Sequence, residues 1–254
     1  MFESLVLWLN GLPPAALLVV EMALCYSSLL LMLRLFGPAG MYAYIPIAVI
    51  AANIAVLKAV QFPFYADPLA LGTVVYASIY LATDILNEWY GKAAARKAVF
   101  VGFFGYLIFI VFVLIALGYS PLTPEQAGET MAWNLPYHEH MKALFLPAPA
   151  LLVASLVAYL VSQLNDVYLY AWLRGRTNGK MLWLRNNAAA LVSNFIDNTV
   201  FSVLAWHVLA EQPVGWNALF FTYILGTYLL RVVISVCDTP FLYLAGRCRG
   251  KEIF

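Results

Sequence analysis

At 254 residues, 64% of them hydrophobic and only 11% charged, the chain is far too apolar for a soluble domain, where roughly a quarter of residues carry charge. The formal net charge of +1, with no basic face interleaved with aromatics, excludes a nucleic-acid partner. The composition requires the lipid bilayer as solvent.

Met1 to Asn10 carry Glu3 and no Lys or Arg, so the basic start of a signal peptide is missing and the next apolar stretch is expected to be retained as a helix. With about 20 apolar residues per span, seven helices are predicted, near 14–36, 41–60, 69–87, 98–118, 144–170, 188–210 and 217–245. Pro13, Gly37-Pro38, Pro63, Pro121, Pro147 and Pro213 punctuate the ends of several of them. The fold class is an all-α integral membrane protein, residues 1–254 forming a single polytopic domain. Cys25, Cys237 and Cys248 lack the spacing of a disulfide framework or a zinc site.

Lys92, Arg96 and Lys97 fall in one short connection, Arg174, Arg176, Lys180 and Arg185 in a second, and Arg247, Arg249 and Lys251 on the tail; these are expected on the cytoplasmic side. The connections around Asp67, from Glu125 to Glu139 and around Glu211 are poor in Lys and Arg and are expected outside. An odd number of helices puts the N-terminus outside and the C-terminus in the cytoplasm. Without 14–36, the other six helices form two groups of three in opposite senses, with Asp84 and Asp197 on the middle helices. A 3+3 inverted repeat would produce this arrangement, although similarity between the halves is close to nil.

A charged side chain at mid-bilayer depth costs about 2.5–3.5 kcal/mol on insertion scales, so acids and amides inside these helices need partners or a polar cavity. Counting inward from the helix ends puts Asn53, Asn194, Asp197, Asn198 and Arg231 near the bilayer centre. Asn194, Asp197 and Asn198, spaced i, i+3, i+4, share one face, as a ligand-binding surface or an interhelical hydrogen-bond cluster would require. Arg231, the one strong cation read well inside a span, takes Asp197 as its natural partner, with Asp238 one layer nearer the cytoplasm; a structural ion pair and a substrate contact are both open. Asp84 and Glu88, also i, i+4, form a carboxylate pair in which repulsion would raise one pKa, as proton coupling needs, unless Glu88 is merely solvated at its helix end. Gln163, Asn165 and Asp166 add a polar patch at similar depth.

His138-Glu139-His140 resembles metal spacing only superficially, and no metal or cofactor is expected. Neither a nucleotide-binding P-loop nor H-E-x-x-H nor G-x-S-x-G occurs, which argues against an ATPase or an intramembrane hydrolase. The helix bearing Arg231 offers no Lys for a retinal Schiff base.

Ala82-Thr83-Asp84-Ile85-Leu86-Asn87-Glu88-Trp89-Tyr90-Gly91-Lys92 followed by Ala95-Arg96-Lys97, then Gln163 to Asp166, Ser193 to Phe201, and Arg231 to Ser235 ahead of Asp238-Thr239-Pro240, resemble the queuosine precursor transporter family, also called the VUT family. The resemblance spans about 41–246. It implies a six-helix transporter core, with 14–36 an extra N-terminal helix, importing the 7-deazaguanines preQ0 and preQ1 across a bacterial inner membrane without an attached ATPase. Arg231 stands where Lys is also expected in relatives. A guanine-like edge offers N–H donors to a carboxylate and a carbonyl to an amide or Arg, so Asp197, Asn194, Asn198 and Arg231 are the expected base readers. Phe195, Trp89 and Tyr228 are secondary candidates for stacking.

The substrate-binding set is then Asn53, Asp84, Glu88, Gln163, Asp166, Asn194, Asp197, Asn198, Arg231 and Asp238, and the partners are a small purine-like molecule and the bilayer, with self-association open. Two other readings compete with the carrier: a substrate-binding subunit energised by a separate module, as in vitamin uptake, and an intramembrane enzyme using Asp84 and Glu88.

Overall fold

The short helix α1 (Phe2–Asn10) leads into α2 (Pro14–Ala55) through Pro13 and Pro14, with Pro14 in the first turn, where its missing N–H is not needed. In this computed structural model, residues 2–63, 68–146 and 149–249 are described; Asp67, Pro147 and Lys251 of the topology reading fall outside them. α2 is broken at Gly37, whose φ of 58° and ψ of −140° suit glycine and not a helix. The chain folds back there. A Cβ on Gly40 would sit 2.2 Å from the Met32 carbonyl oxygen, and the Tyr44 hydroxyl donates to the Cys25 carbonyl at 3.4 Å. In one straight helix those pairs would be about 12 and 28 Å apart. Residues 14–36 and 38–55 are therefore antiparallel arms, as the spans predicted at 14–36 and 41–60 required.

The second arm stops at Ala55, short of the predicted 60, and α3 (Thr73–Trp89) starts later than the predicted 69. Between them Ala59–Val60 (β1) pairs antiparallel with Leu69–Ala70 (β2). Pro63 and Pro68 interrupt any helix through this stretch. Gly72 then turns the chain into α3 at φ 90°, where a Cβ would meet the Ala52 carbonyl at 2.6 Å.

Every residue of α3 from Ala77 to Glu88 is buried, so this 17-residue helix is the axis of the bundle. The helices packed around it are α2, α4 (Lys92–Gly118), α7 (Pro149–Arg176) and α10 (Thr227–Cys248). The inward face of α4 is small-residue rich, Ala95, Ala98, Val99 and Gly102; a Cβ on Gly102 would lie 2.2 Å from the Tyr159 hydroxyl, which donates to the Val99 carbonyl. Close backbone approach of this kind packs helices in lipid, where apolar surfaces gain little by association. Phe104, Ile108, Phe112 and Ile115 face outward on the same helix.

The connection between α4 and α7 carries α5 (Pro124–Ala127), a 3₁₀ turn and α6 (Tyr137–Phe145), on which Glu139 of the His138-Glu139-His140 run pairs with Lys142 at 3.1 Å. α8 (Leu182–Val203) continues as a π-helical turn to Val208. α9 (Trp216–Ala218) runs through a second π-helical stretch, Leu219–Gly226, into α10. The first arm of α2 is tied to α10 by Tyr26, which stacks on Phe241 at 4.8 Å and donates to the Ile234 carbonyl.

Basic side chains gather at one end of the bundle. Lys97 lies over Tyr42 at 5.5 Å, Lys92 over Tyr168 at 3.8 Å and Arg249 over Trp89 at 4.2 Å. Among the described residues, five helices are long and apolar enough to cross a bilayer: α2 with its two arms, α4, α7, α8 with its π turn, and Trp216–Cys248. The protein is a multi-pass all-α membrane protein.

Candidate functional site

Four helices, α3, α7, α8 and α10, turn polar side chains toward one another and build a column through the apolar bundle. On α3 the stripe Tyr76, Tyr80, Asp84, Glu88 repeats every four residues and so keeps to one face. Ser162, Gln163, Asp166 and Tyr170 come from α7; Arg185, Asn186, Asn194 and Asp197 from α8; Arg231, Ser235 and Asp238 from α10. All but Tyr76 and Arg231 are buried outright.

At the basic end Glu88 is enclosed. The Arg185 guanidinium reaches it with two bonds, Nε to Oε2 at 2.9 Å and Nη2 to Oε1 at 2.7 Å; Tyr170 donates to Oε2 at 3.0 Å, and Arg174 stands at 3.7 Å. This corrects three readings. Arg185 is a buried residue of the first turn of α8, not a loop cation; Arg231 is not the only guanidinium inside; and Glu88 is neither solvated nor Asp84's unpaired partner. The local reason is spacing: Leu182 starts α8, so Arg185 points back along the helix into the bundle, where its remaining donors reach the carbonyls of Gly179 and Lys180.

One turn deeper, Asp84 and Asp166 face each other at hydrogen-bonding range. None of their four oxygens has a protein donor within 3.5 Å, and the Ser193 hydroxyl lies next to Asp166. Asp238 stands beside them, accepting from the Asn186 amide at 2.8 Å. Above lie Tyr80, Gln163 and Asn194. Gln163 accepts from Thr83 at 3.2 Å, and Asn194 donates to Ser235 at 3.1 Å.

About 25 Å along α10 from its basic end, Arg231 donates through Nη1 to Asp197 Oδ2 at 2.5 Å. Asp197 Oδ1 accepts from Tyr76 at 2.7 Å and Ser162 at 3.0 Å. Arg231 also lies over the Tyr76 ring at 5.4 Å. The Asp197–Arg231 pair read from the sequence is thus present. Asp197 is already held by three donors, whereas Arg231 Nε is free.

Asn198 and Asn53 stand apart. Asn198 donates to the Ile224 carbonyl and to Thr227 Oγ1 at 2.8 Å, which ties α8 to the π-helical stretch. Asn53 accepts from Ser155 at 2.7 Å and donates to the Val49 carbonyl. It lines a separate apolar cavity of ≈ 50 Å³ with Tyr106, Leu152 and Phe201. Ser155 is about 10 Å from Ser162 along α7. Of the aromatics considered for stacking, Phe195 is half-exposed against Tyr228, and Trp89 is covered by Arg249 and packed on Gly246. Besides Tyr170 at Glu88, the aromatics in the column are Tyr76 and Tyr80, edge to face at 5.9 Å. Their four-residue spacing from Asp84 was the signal available in the sequence.

Tyr80 Oη, Gln163 Nε2, Asn194 Oδ1, Asn186 Oδ1 and Arg231 Nε are buried without a hydrogen-bond partner, as are Asp84 and Asp166. Folded proteins leave few such groups, because each costs about 1–3 kcal/mol. Here they share one column and comprise both donors and acceptors, the arrangement of a site that binds a flat polar molecule by its edge.

A family model described as "Putative vitamin uptake transporter" matches residues 70–245, which takes in the whole column. A "Probable queuosine precursor transporter" of Bacillus subtilis (strain 168) is 33% identical over 217 residues, covering 85% of this chain and 87% of the relative. A second protein of that name, from Haemophilus influenzae (strain ATCC 51907 / DSM 11121 / KW20 / Rd), is 28% identical over 167 residues, 65% of this chain and 63% of its own length. No solved structure matches. With most of its length matched by that model and by the Bacillus relative, the chain belongs to the "Putative vitamin uptake transporter" family.

Proposed function

We propose that the protein is an uptake transporter for queuosine precursors, the substrate named for its relatives, and that the column between α3, α7, α8 and α10 reads the 7-deazaguanine base. The observation that carries this is the set of unpartnered groups on the facing walls of one column. A guanine edge presents N–H donors and a carbonyl. Asn194 Oδ1 accepts from the donors, Gln163 Nε2 and Arg231 Nε donate to the carbonyl, and Tyr80 with Tyr76 walls the flat face. Asp197 orients Arg231 rather than touching the base. Asn53 and Asn198 brace the outer half.

The spans number seven in this proposal: both arms of α2, then α3, α4, α7, α8 and α10, with the first arm outside a six-helix core. The second arm of α2 with α3 and α4, and α7 with α8 and α10, are two groups of three, consistent with an inverted repeat around the column. The end carrying Lys92, Arg174 and Arg249 faces the cytoplasm of a bacterial inner membrane, by the positive-inside rule. A cysteine introduced at Asn178 is then expected to stay unlabelled by an impermeant reagent in intact cells and to react in inverted vesicles. Labelling from outside would reverse the orientation.

Counterflow in proteoliposomes tests the transport reading. Vesicles loaded with unlabelled 7-aminomethyl-7-deazaguanine are expected to draw in labelled 7-cyano-7-deazaguanine faster than protein-free vesicles. Equal entry in both would refute the reading.

A further inference from the structure

We propose that Asp84 and Asp166 hold one proton between them, and that this proton is the ion that drives substrate uptake. The proposal rests on the transport reading above and adds to it the identity and position of the coupling ion.

The geometry separates these two acids from every other buried carboxylate in the described residues. Glu88 has a bidentate guanidinium and a tyrosine; Asp197 has Arg231, Tyr76 and Ser162; Asp238 has the Asn186 amide. Asp84 and Asp166 are 1% and 0% exposed, no guanidinium, ammonium, amide or phenol donates to them, and the one hydroxyl beside the pair is that of Ser193, next to Asp166. Each is nevertheless at hydrogen-bonding range of the other. Two carboxylates facing each other in an apolar bundle repel strongly and have lost their water, whereas one proton between them gives a charge-assisted O–H···O bond.

No neighbouring cation takes the proton's place. α7 contributes Tyr170, which is turned to Glu88, and α10 contributes Asp238. α8 contributes Arg185, engaged by Glu88, and the neutral Asn186. α2 contributes Tyr26, near Asp238, while α4 turns in Ala95, Ala98 and Val99. A second, independent sign of ligand exchange is that the Gln163 amide nitrogen and the Asn186 amide oxygen, both 0% exposed, also lack partners beside this pair.

The link to substrate is one helical turn. Gln163 precedes Asp166 by three residues and Tyr80 precedes Asp84 by four, so the groups proposed to read the base and the groups that hold the proton share the walls of α3 and α7. An O–H bond forms on one carboxylate on the outward-open side and breaks toward cytoplasmic water. With the proton gone, the two anions push α3 and α7 apart at the basic end and release the substrate; with it bound, the walls close.

Proteoliposomes with an alkaline interior provide the test, with labelled 7-cyano-7-deazaguanine as probe. For one proton per substrate, a gradient of one pH unit supports about tenfold accumulation, which a protonophore should collapse. Asp84→Asn and Asp166→Asn are expected to lose the accumulation, so that their uptake no longer responds to the gradient. Accumulation unchanged by the gradient, driven instead by sodium, or retained in both variants would overturn the proposal. Absence of counterflow in the wild type would count against the transport reading alone. In that event infrared spectroscopy of the purified protein decides for the pair: a carbonyl-stretch band of a protonated carboxylic acid is expected at neutral pH, lost in Asp166→Asn and kept in Glu88→Gln. Its absence in the wild type would overturn the proposal.

Discussion

Arg231→Ala is expected to abolish counterflow of 7-deazaguanines and to lower the melting temperature of the detergent-purified protein. Removing the guanidinium leaves Asp197 buried with only Tyr76 and Ser162 as donors. Breaking a buried pair from one side costs about 3–5 kcal/mol, much of it the penalty of the stranded charge. Asp197→Asn is expected to cost comparable stability, because it strands the Arg231 guanidinium, and to be equally damaging to binding, because Arg231 loses its anchor. Arg231→Lys keeps the charge and loses Nε, the donor assigned to the base, so it should fold nearly normally and bind weakly. Wild-type affinity in both Arg231→Ala and Asp197→Asn would contradict the middle layer as the site.

Glu88→Gln is expected to have an equally large effect on stability and none on substrate recognition. It strands the Arg185 guanidinium at the base of α8, again at a cost of about 3–5 kcal/mol. Removing both charges in Glu88→Gln/Arg185→Met should recover most of the loss, since apolar replacement of a buried ion pair is often neutral or stabilising. Thermal melts of the three proteins, each with and without a 7-deazaguanine, separate the two effects. A Glu88→Gln protein that melts normally but no longer shifts with ligand would return Glu88 to the binding set.

The spans and the main ion pair were legible because the bilayer imposes simple rules. About 20 apolar residues must run together, and a buried Arg must find an acid at its own depth, which left Asp197 for Arg231. What escaped the sequence was three-dimensional pairing. Arg185 looked like one more loop cation until α8 began at Leu182 and turned it inward to Glu88, and that pairing in turn removed Glu88 from Asp84 and left Asp166 in its place. Asn53 and Asn198 have the depth of the column but point elsewhere, and depth along a helix says nothing about azimuth without the partner helices. The helical limits moved at 56–60 and 69–72, where the ribbon of Ala59–Val60 and Leu69–Ala70 takes the place of the ends of the helices expected at 41–60 and 69–87.

The most direct test of the central claim is equilibrium binding of two bases to the purified wild-type protein: 7-deazaguanine, and 7-deazahypoxanthine, which lacks only the exocyclic amine. A site whose buried Asn194 acceptor is completed by that amine should reject the second base strongly, by about four orders of magnitude where a built-in hydrogen bond is lost. Asn194→Leu should remove most of the discrimination. Equal affinity for the two bases, or discrimination undiminished in Asn194→Leu, would contradict recognition of the guanine edge by this column.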